Sequence, residues 1–92
     1  MIIGGNFNKK CEQLLLITWK LSGQKLDEKV QVTEINKQLN CDRNEMRNYL
    51  EFLSDRKWIK IDSIGGPMLY GHISITQKGG SKLMELIKET KK

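Results

Sequence analysis

Histidine and proline each occur once in these 92 residues, and cysteine only twice. With His72 alone there is no Ser-His-Asp arrangement. No paired-carboxylate or phosphate-loop pattern is present either. Cys11 and Cys41 are far apart and form no CxxC pattern, so the chain offers no ligand set for a structural zinc. Gly79-Gly80 lacks the spacing of a nucleotide-binding fingerprint. Neither an enzyme, nor a metal site, nor a cofactor is expected, and no small-molecule ligand is evident. No apolar run approaches the ~20 residues of a membrane span. The first residues, Met1 to Asn8, lack the basic region, apolar stretch and small-residue cleavage site of a secretion signal. The expectation is a cytoplasmic protein with no membrane partner. A reducing cytosol disfavours a disulfide between the two cysteines. Cys11 then reads as a small core residue on a helix face, and Cys41 as a partly exposed residue in a turn.

What the chain does contain is enough for one domain with a modest core, spanning 1–92 with its ordered part at about 8–88. Apolar residues make up 38% of it, which leaves no room for a deep catalytic cavity as well. Sixteen Lys and Arg stand against eleven Asp and Glu, a net charge of +5. Such a surplus suits an anionic partner such as nucleic acid.

The hydrophobic pattern divides the chain into seven elements. A first helix is predicted over 8–22, after a Gly-containing lead-in. Cys11, Leu14, Ile17, Thr18 and Leu21 form one stripe at three-and-four spacing, while Leu15, Leu16 and Trp19 fall outside it. A helix apolar almost all round packs on two sides. One side is the core; the other is a candidate dimer surface carried by Leu15, Leu16 and Trp19. Val30 to Val32 alternates like a short strand. Thr33 fits the N-cap of a two-turn helix over 34–39, with Ile35 and Leu39 inward. Asn40-Cys41 makes a tight turn. Asp42 and Glu45 form a capping-box pair that starts a third helix over 42–57. Met46, Tyr49, Leu50 and Leu53 face inward from it, and Asn44, Arg47, Asn48, Glu51 and Asp55 lie on the far side. Two alternating runs over 58–64 and 69–75 flank Gly65-Gly66-Pro67 and predict a β-hairpin. Thr76 caps a last helix with Leu83, Leu86 and Ile87 inward. Gly79 and Gly80 weaken its first turn.

Two short helices joined by a tight turn, the second longer and polar outside, read as a helix-turn-helix. Such a unit can lay its second helix in the major groove of duplex DNA. Base-reading residues then come from the N-terminal half of that helix, here Arg43, Asn44, Arg47 and Asn48. Arg donates twice to guanine and Asn pairs bidentately with adenine. Thr33, Lys37 and Gln38, with Lys9 and Lys10, are candidates for phosphate contacts, which position a protein without reading sequence. The hairpin tip holds no Lys or Arg from Ser63 to Tyr70, so the Tyr70 hydroxyl and glycine N–H groups are its only means of meeting a phosphate. The fold expected is α+β and mostly α: a winged helix with a three-helix core, a two-stranded β-wing and a C-terminal helix.

From Met46 to Ile87 the chain resembles the small winged-helix transcriptional regulators of archaea and their viral relatives. Tyr49, Leu50 and Leu53 match the YLxxL pattern of their recognition helix. Trp58 and Ile59 occupy the place where relatives often have Gly-Leu-Ile. Ile75, Thr76, Lys78 and Gly79 match the ITxKG start of their last helix. The resemblance covers about half the chain well and the rest by element order, and its motifs are mostly structural. It implies a homodimer on duplex DNA, joined through terminal helices, with a role in transcription regulation. The competing reading is a winged helix used as a protein–protein adaptor, with Trp58, Met68, Tyr70 and the first helix making the contacts.

Overall fold

Every other helix of the protein leans on the first. In the computed structural model, which describes residues 2–65 and 70–90, α1 (Ile2–Leu21) packs against α2 (Val32–Leu39), α3 (Arg43–Asp55), α4 (Gln77–Thr90) and the sheet. This central position explains why α1 is apolar nearly all round: it meets neighbours on several sides within one chain. The buried face runs Cys11, Leu14, Leu15, Thr18, Ser22, a helical stripe turned slightly from the one predicted. Leu15 is only 1% exposed and belongs to the core, which overturns its assignment to a dimer surface. Leu16, Ile17 and Trp19 are half-buried against that core, while Leu21 lies exposed. Thr18 is tolerated inside because its hydroxyl donates to the Leu14 carbonyl at 2.8 Å. The helix also begins earlier than expected. The lead-in is helical despite Gly4 and Gly5, each of which costs a helix ~1 kcal/mol, and no proline interrupts it.

Both long-helix ends before a loop are closed the same way. At the end of α1, Gly23 N–H donates to Lys20 and Gln24 N–H to Trp19; Gly23 supplies the left-handed φ of +74°. At the end of α3, Lys57 N–H donates to Ser54 and Trp58 N–H to Leu53. These paired bonds satisfy carbonyls the helix leaves open. Here a lysine, Lys57, takes the left-handed position with φ +64°.

Among the described residues, three strands form one antiparallel sheet in the order β1-β3-β2: β1 (Val30–Gln31), β2 (Ile59–Ile64) and β3 (Tyr70–Ile75). The expected two-stranded wing therefore gains a third strand. Val30 pairs with Ile73 and Gln31 with His72, which makes β3 the central strand. Ile59 pairs with Ile75 and Ile61 with Ile73, and the register shifts between Ile61 and Ser63. Ile59, Ile73 and Ile75 face the helices and are buried. The turn expected at Gly66 and Pro67, and the strand residue Leu69 and contact residue Met68, lie outside the described residues.

The junction of β3 with α4 explains the glycine that seemed to weaken the last helix. The Thr76 hydroxyl donates to the Lys57 carbonyl at 2.6 Å and accepts from Gly79 N–H at 3.0 Å, capping α4 as expected. A Cβ on Gly79 would run into the backbone carbonyl of Trp58. Here glycine is needed for the close approach of two backbones, at the expense of helix propensity.

Candidate nucleic-acid interface

The turn between α2 and α3 sets the angle at which α3 is shown to solvent. Asn40 adopts the left-handed conformation at φ 59°, ψ 47° and its N–H donates to the Asn36 carbonyl. The Asn36 side chain then grips the next residue at both ends. Its Oδ1 accepts from Cys41 N–H at 2.7 Å, and its Nδ2 donates to the Cys41 carbonyl at 2.9 Å. Cys41 is thereby drawn inward, 8% exposed, and is not the partly exposed turn residue expected. Asn36 was missed in the sequence because it reads as an ordinary polar helix position. Its signal was the amide one turn before a short link, where an Asn can substitute for missing backbone partners.

α3 starts on the expected capping box. Asp42 Oδ1 accepts from Glu45 N–H at 2.8 Å, and Glu45 Oε1 accepts from Asp42 N–H at 3.3 Å. Glu45 also accepts from the Tyr49 hydroxyl at 3.5 Å. Both acidic side chains at the start of α3 are thus drawn into local bonds, away from its outer face. Tyr49 is buried, and burial first, then Glu45, push its phenol up to about 12.

Arg43, Asn44, Arg47 and Asn48 are all exposed. Among the described residues none of the four side chains makes an intramolecular hydrogen bond or ion pair. The four lie within two turns of one helix, so their donors and acceptors are free together. Met46, Tyr49, Leu50 and Leu53, on the opposite side, are all buried. That packing prevents the helix from rotating its polar side inward.

The remaining candidates are placed differently. Thr33 is half-buried inside the first turn of α2, not at its cap, because the helix begins at Val32 after Gln31. Gln31 gives no side-chain cap, so the first N–H groups of α2 have no side-chain partner from that position. Lys37 is exposed and pairs with Glu34 at 3.0 Å. Lys10 and Gln38 line a cleft of about 400 Å³ between α1 and α2, with Leu16 and Ile17 in its wall. Lys9 is exposed on α1. Tyr70 does not present its hydroxyl at the wing. It donates to Glu51 on α3 at 3.0 Å, bracing the hairpin against the helix. Burial first, then the bond to Glu51 and its charge, raise the Tyr70 phenol pKa, with Arg47 opposing. Glu51, expected on the far side of α3, is exposed there and anchors the hairpin.

The two thiols, Cys11 and Cys41, are free and buried. No group of His, Cys, Asp and Glu among the described residues is arranged to hold a metal ion. No described helix is long and apolar enough to cross a membrane. Compared with protein-family models, curated proteins and solved structures, the chain gives no match.

Proposed function

We propose that this chain is a winged-helix protein that binds duplex DNA, with α3 in the major groove, and that it acts as a cytoplasmic transcriptional regulator. The observation that carries the reading is the outer face of α3. Arg43, Asn44, Arg47 and Asn48 are exposed and unengaged, while the acidic residues nearby are occupied by the cap and by Tyr70. Free Arg and Asn side chains in the first half of a packed helix have the donor and acceptor pattern that base edges require. The uncapped start of α2 adds backbone N–H groups suited to a phosphate, and the net charge of +5 favours approach to a polyanion.

The homodimer belongs to this proposal, with a revised surface. Leu15 is core, so the pairing surface would use Trp19 with exposed Leu21, Leu26 and Met84. A second reading, the protein–protein adaptor, is favoured by Ile64, which is 77% exposed near the end of the hairpin. A salt titration of binding to random duplex separates the two. DNA binding predicts affinity that falls steeply as salt rises. No binding at micromolar protein and low salt refutes it. Arg47→Ala should relax sequence discrimination while Lys10→Ala weakens all duplexes alike; equal effects would rule out groove readout. Trp19→Glu should give monomers in sedimentation.

A further inference from the structure

A second site lies where α1, α3 and α4 meet at Trp58, the residue before β2. Cys11 and Glu12 of α1, Phe52 and Arg56 of α3 and its cap, Trp58, and Lys82 of α4 line a cleft of about 200 Å³. The rings of Phe52 and Trp58 meet edge to face, 6.4 Å apart at 78°. Each ring carries a cation: Arg56 lies 4.8 Å from the Phe52 centroid and Lys82 lies 5.2 Å from that of Trp58. Stacking holds a guanidinium by its face, which leaves its in-plane N–H donors free for a planar acceptor. Glu12 faces the same cleft with the opposite charge. Yet among the described residues neither cation reaches a carboxylate, and Glu12 has no ion pair or hydrogen bond. Opposite charges line one small space, and no ion pair within 4.0 Å joins Glu12 to either cation.

A ligand that carries both charges would close that gap. We propose that this cleft binds a small α-amino acid with an apolar side chain, as its zwitterion. The carboxylate lies on Arg56 and Lys82, the ammonium on Glu12, and the side chain beside the Trp58 ring. The forked guanidinium suits a carboxylate bidentately, and the ammonium on a half-buried Glu12 makes a charge-assisted hydrogen bond. The two cations favour the anionic end of the ligand, so a carboxylate without an amine is the nearest competitor. None of its lining residues is Arg43, Asn44, Arg47 or Asn48, although Phe52 stands one turn beyond Asn48 on α3.

The test is a titration of the full chain with L-leucine, L-valine and L-methionine, followed at the indole N–H resonances. Trp58 should move and saturate with millimolar ligand, while Trp19, outside the cleft, should stay in place. Isocaproate, which is leucine without its amine, and isoamylamine, which is leucine without its carboxylate, should each bind at least about tenfold more weakly, one lost charge pair. Glu12→Gln should weaken leucine to about the affinity of isocaproate and should not weaken isocaproate. Arg56→Gln should weaken leucine and isocaproate alike. Both positions are at least partly solvent-exposed, and a retained circular-dichroism melt shows that the variants are folded. The proposal is overturned if none of the three amino acids moves Trp58, or if isocaproate binds as tightly as leucine. Either result leaves the DNA reading as it stands, since that is judged on duplex binding alone.

Discussion

Replacing Asn36 by alanine should loosen the whole presentation of α3. The side chain makes two hydrogen bonds to the backbone of Cys41, at 2.7 and 2.9 Å, around a residue that is nearly buried. A typical intramolecular hydrogen bond contributes about 1 kcal/mol net, and a buried partner left unsatisfied costs about 1–3 kcal/mol. Alanine has a higher helix propensity than asparagine, which returns about 0.5 kcal/mol at this position. The expected loss is therefore about 2 kcal/mol. For a domain of this size that lowers Tm by roughly 8–16 °C. Asn36→Asp keeps the acceptor for Cys41 N–H but places a negative charge against the Cys41 carbonyl, so it should recover less than half. Thermal and urea unfolding give the stability, and hydrogen exchange gives the site. The Cys41 amide should lose protection selectively in Asn36→Ala, ahead of the amides of Leu50 and Leu53. A variant within about 0.5 kcal/mol of the parent, the ordinary range for surface changes, would show that the clamp does not hold the turn. So would undiminished protection at Cys41.

Lys57→Gly should stabilise the protein by about 0.5–1 kcal/mol, since glycine relieves the left-handed strain but loses more chain entropy on folding; an unchanged or lower urea midpoint would contradict the observed φ of +64°. Gly79→Ala should cost more than about 3 kcal/mol, because the new methyl meets the Trp58 backbone. Gly80→Ala meets only the end of the Leu26 side chain and should stay within about 1 kcal/mol of the parent, its helix propensity gain offsetting the crowding. Equal melts for the two alanine variants would refute this contrast. Burial, with Glu12 second, lifts the Cys11 thiol from 9.0 to about 12. A raised folded value means stability is intact below pH 9 and falls as pH rises from 9 toward 12, where only the unfolded chain ionises. Cys11→Ala should flatten that alkaline slope, and a thiol reagent at pH 8 should leave native Cys11 unmodified until denaturant is added.

The helices were readable because each is specified locally. The Asp42–Glu45 box and the spacing of Met46, Tyr49, Leu50 and Leu53 defined α3 and its buried side without reference to the rest of the chain. The Thr76 cap was legible for the same reason. The errors fall where distant residues decide. Val30 was read as part of a short strand, but nothing near it says that it will pair with Ile73, so the wing was counted as two-stranded. Leu15 lay outside the stripe counted from Cys11, yet α1 meets three helices and the sheet and buries a differently centred face. Apolar residues all round a helix signalled several neighbours; they did not say that these would come from the same chain. Thr33 lost the cap because Val32, buried behind β1, already turns into the helix. On the candidate interface, the exposure of Asn44, Arg47 and Asn48 followed from the wheel. The engagement of Tyr70 by Glu51 did not, because nineteen residues separate them.

The central strand of the sheet has a consequence for how the chain is made. β3 carries both pairings, to β1 and to β2, and it is the last strand to leave the ribosome. Until Ile75 has been synthesised, Val30 and Ile59 have no strand to join, although α1, α2 and α3 are already complete. Early contacts among those helices are short-range and quick, whereas the sheet requires slower long-range closure. Two separated strand segments therefore wait with apolar side chains open to water. A nascent chain stalled before Tyr70 should bind a chaperone or aggregate, and one released after α4 should not. The order of the strands thus makes birth of the protein a single late event, with the hairpin closing over helices that formed before it.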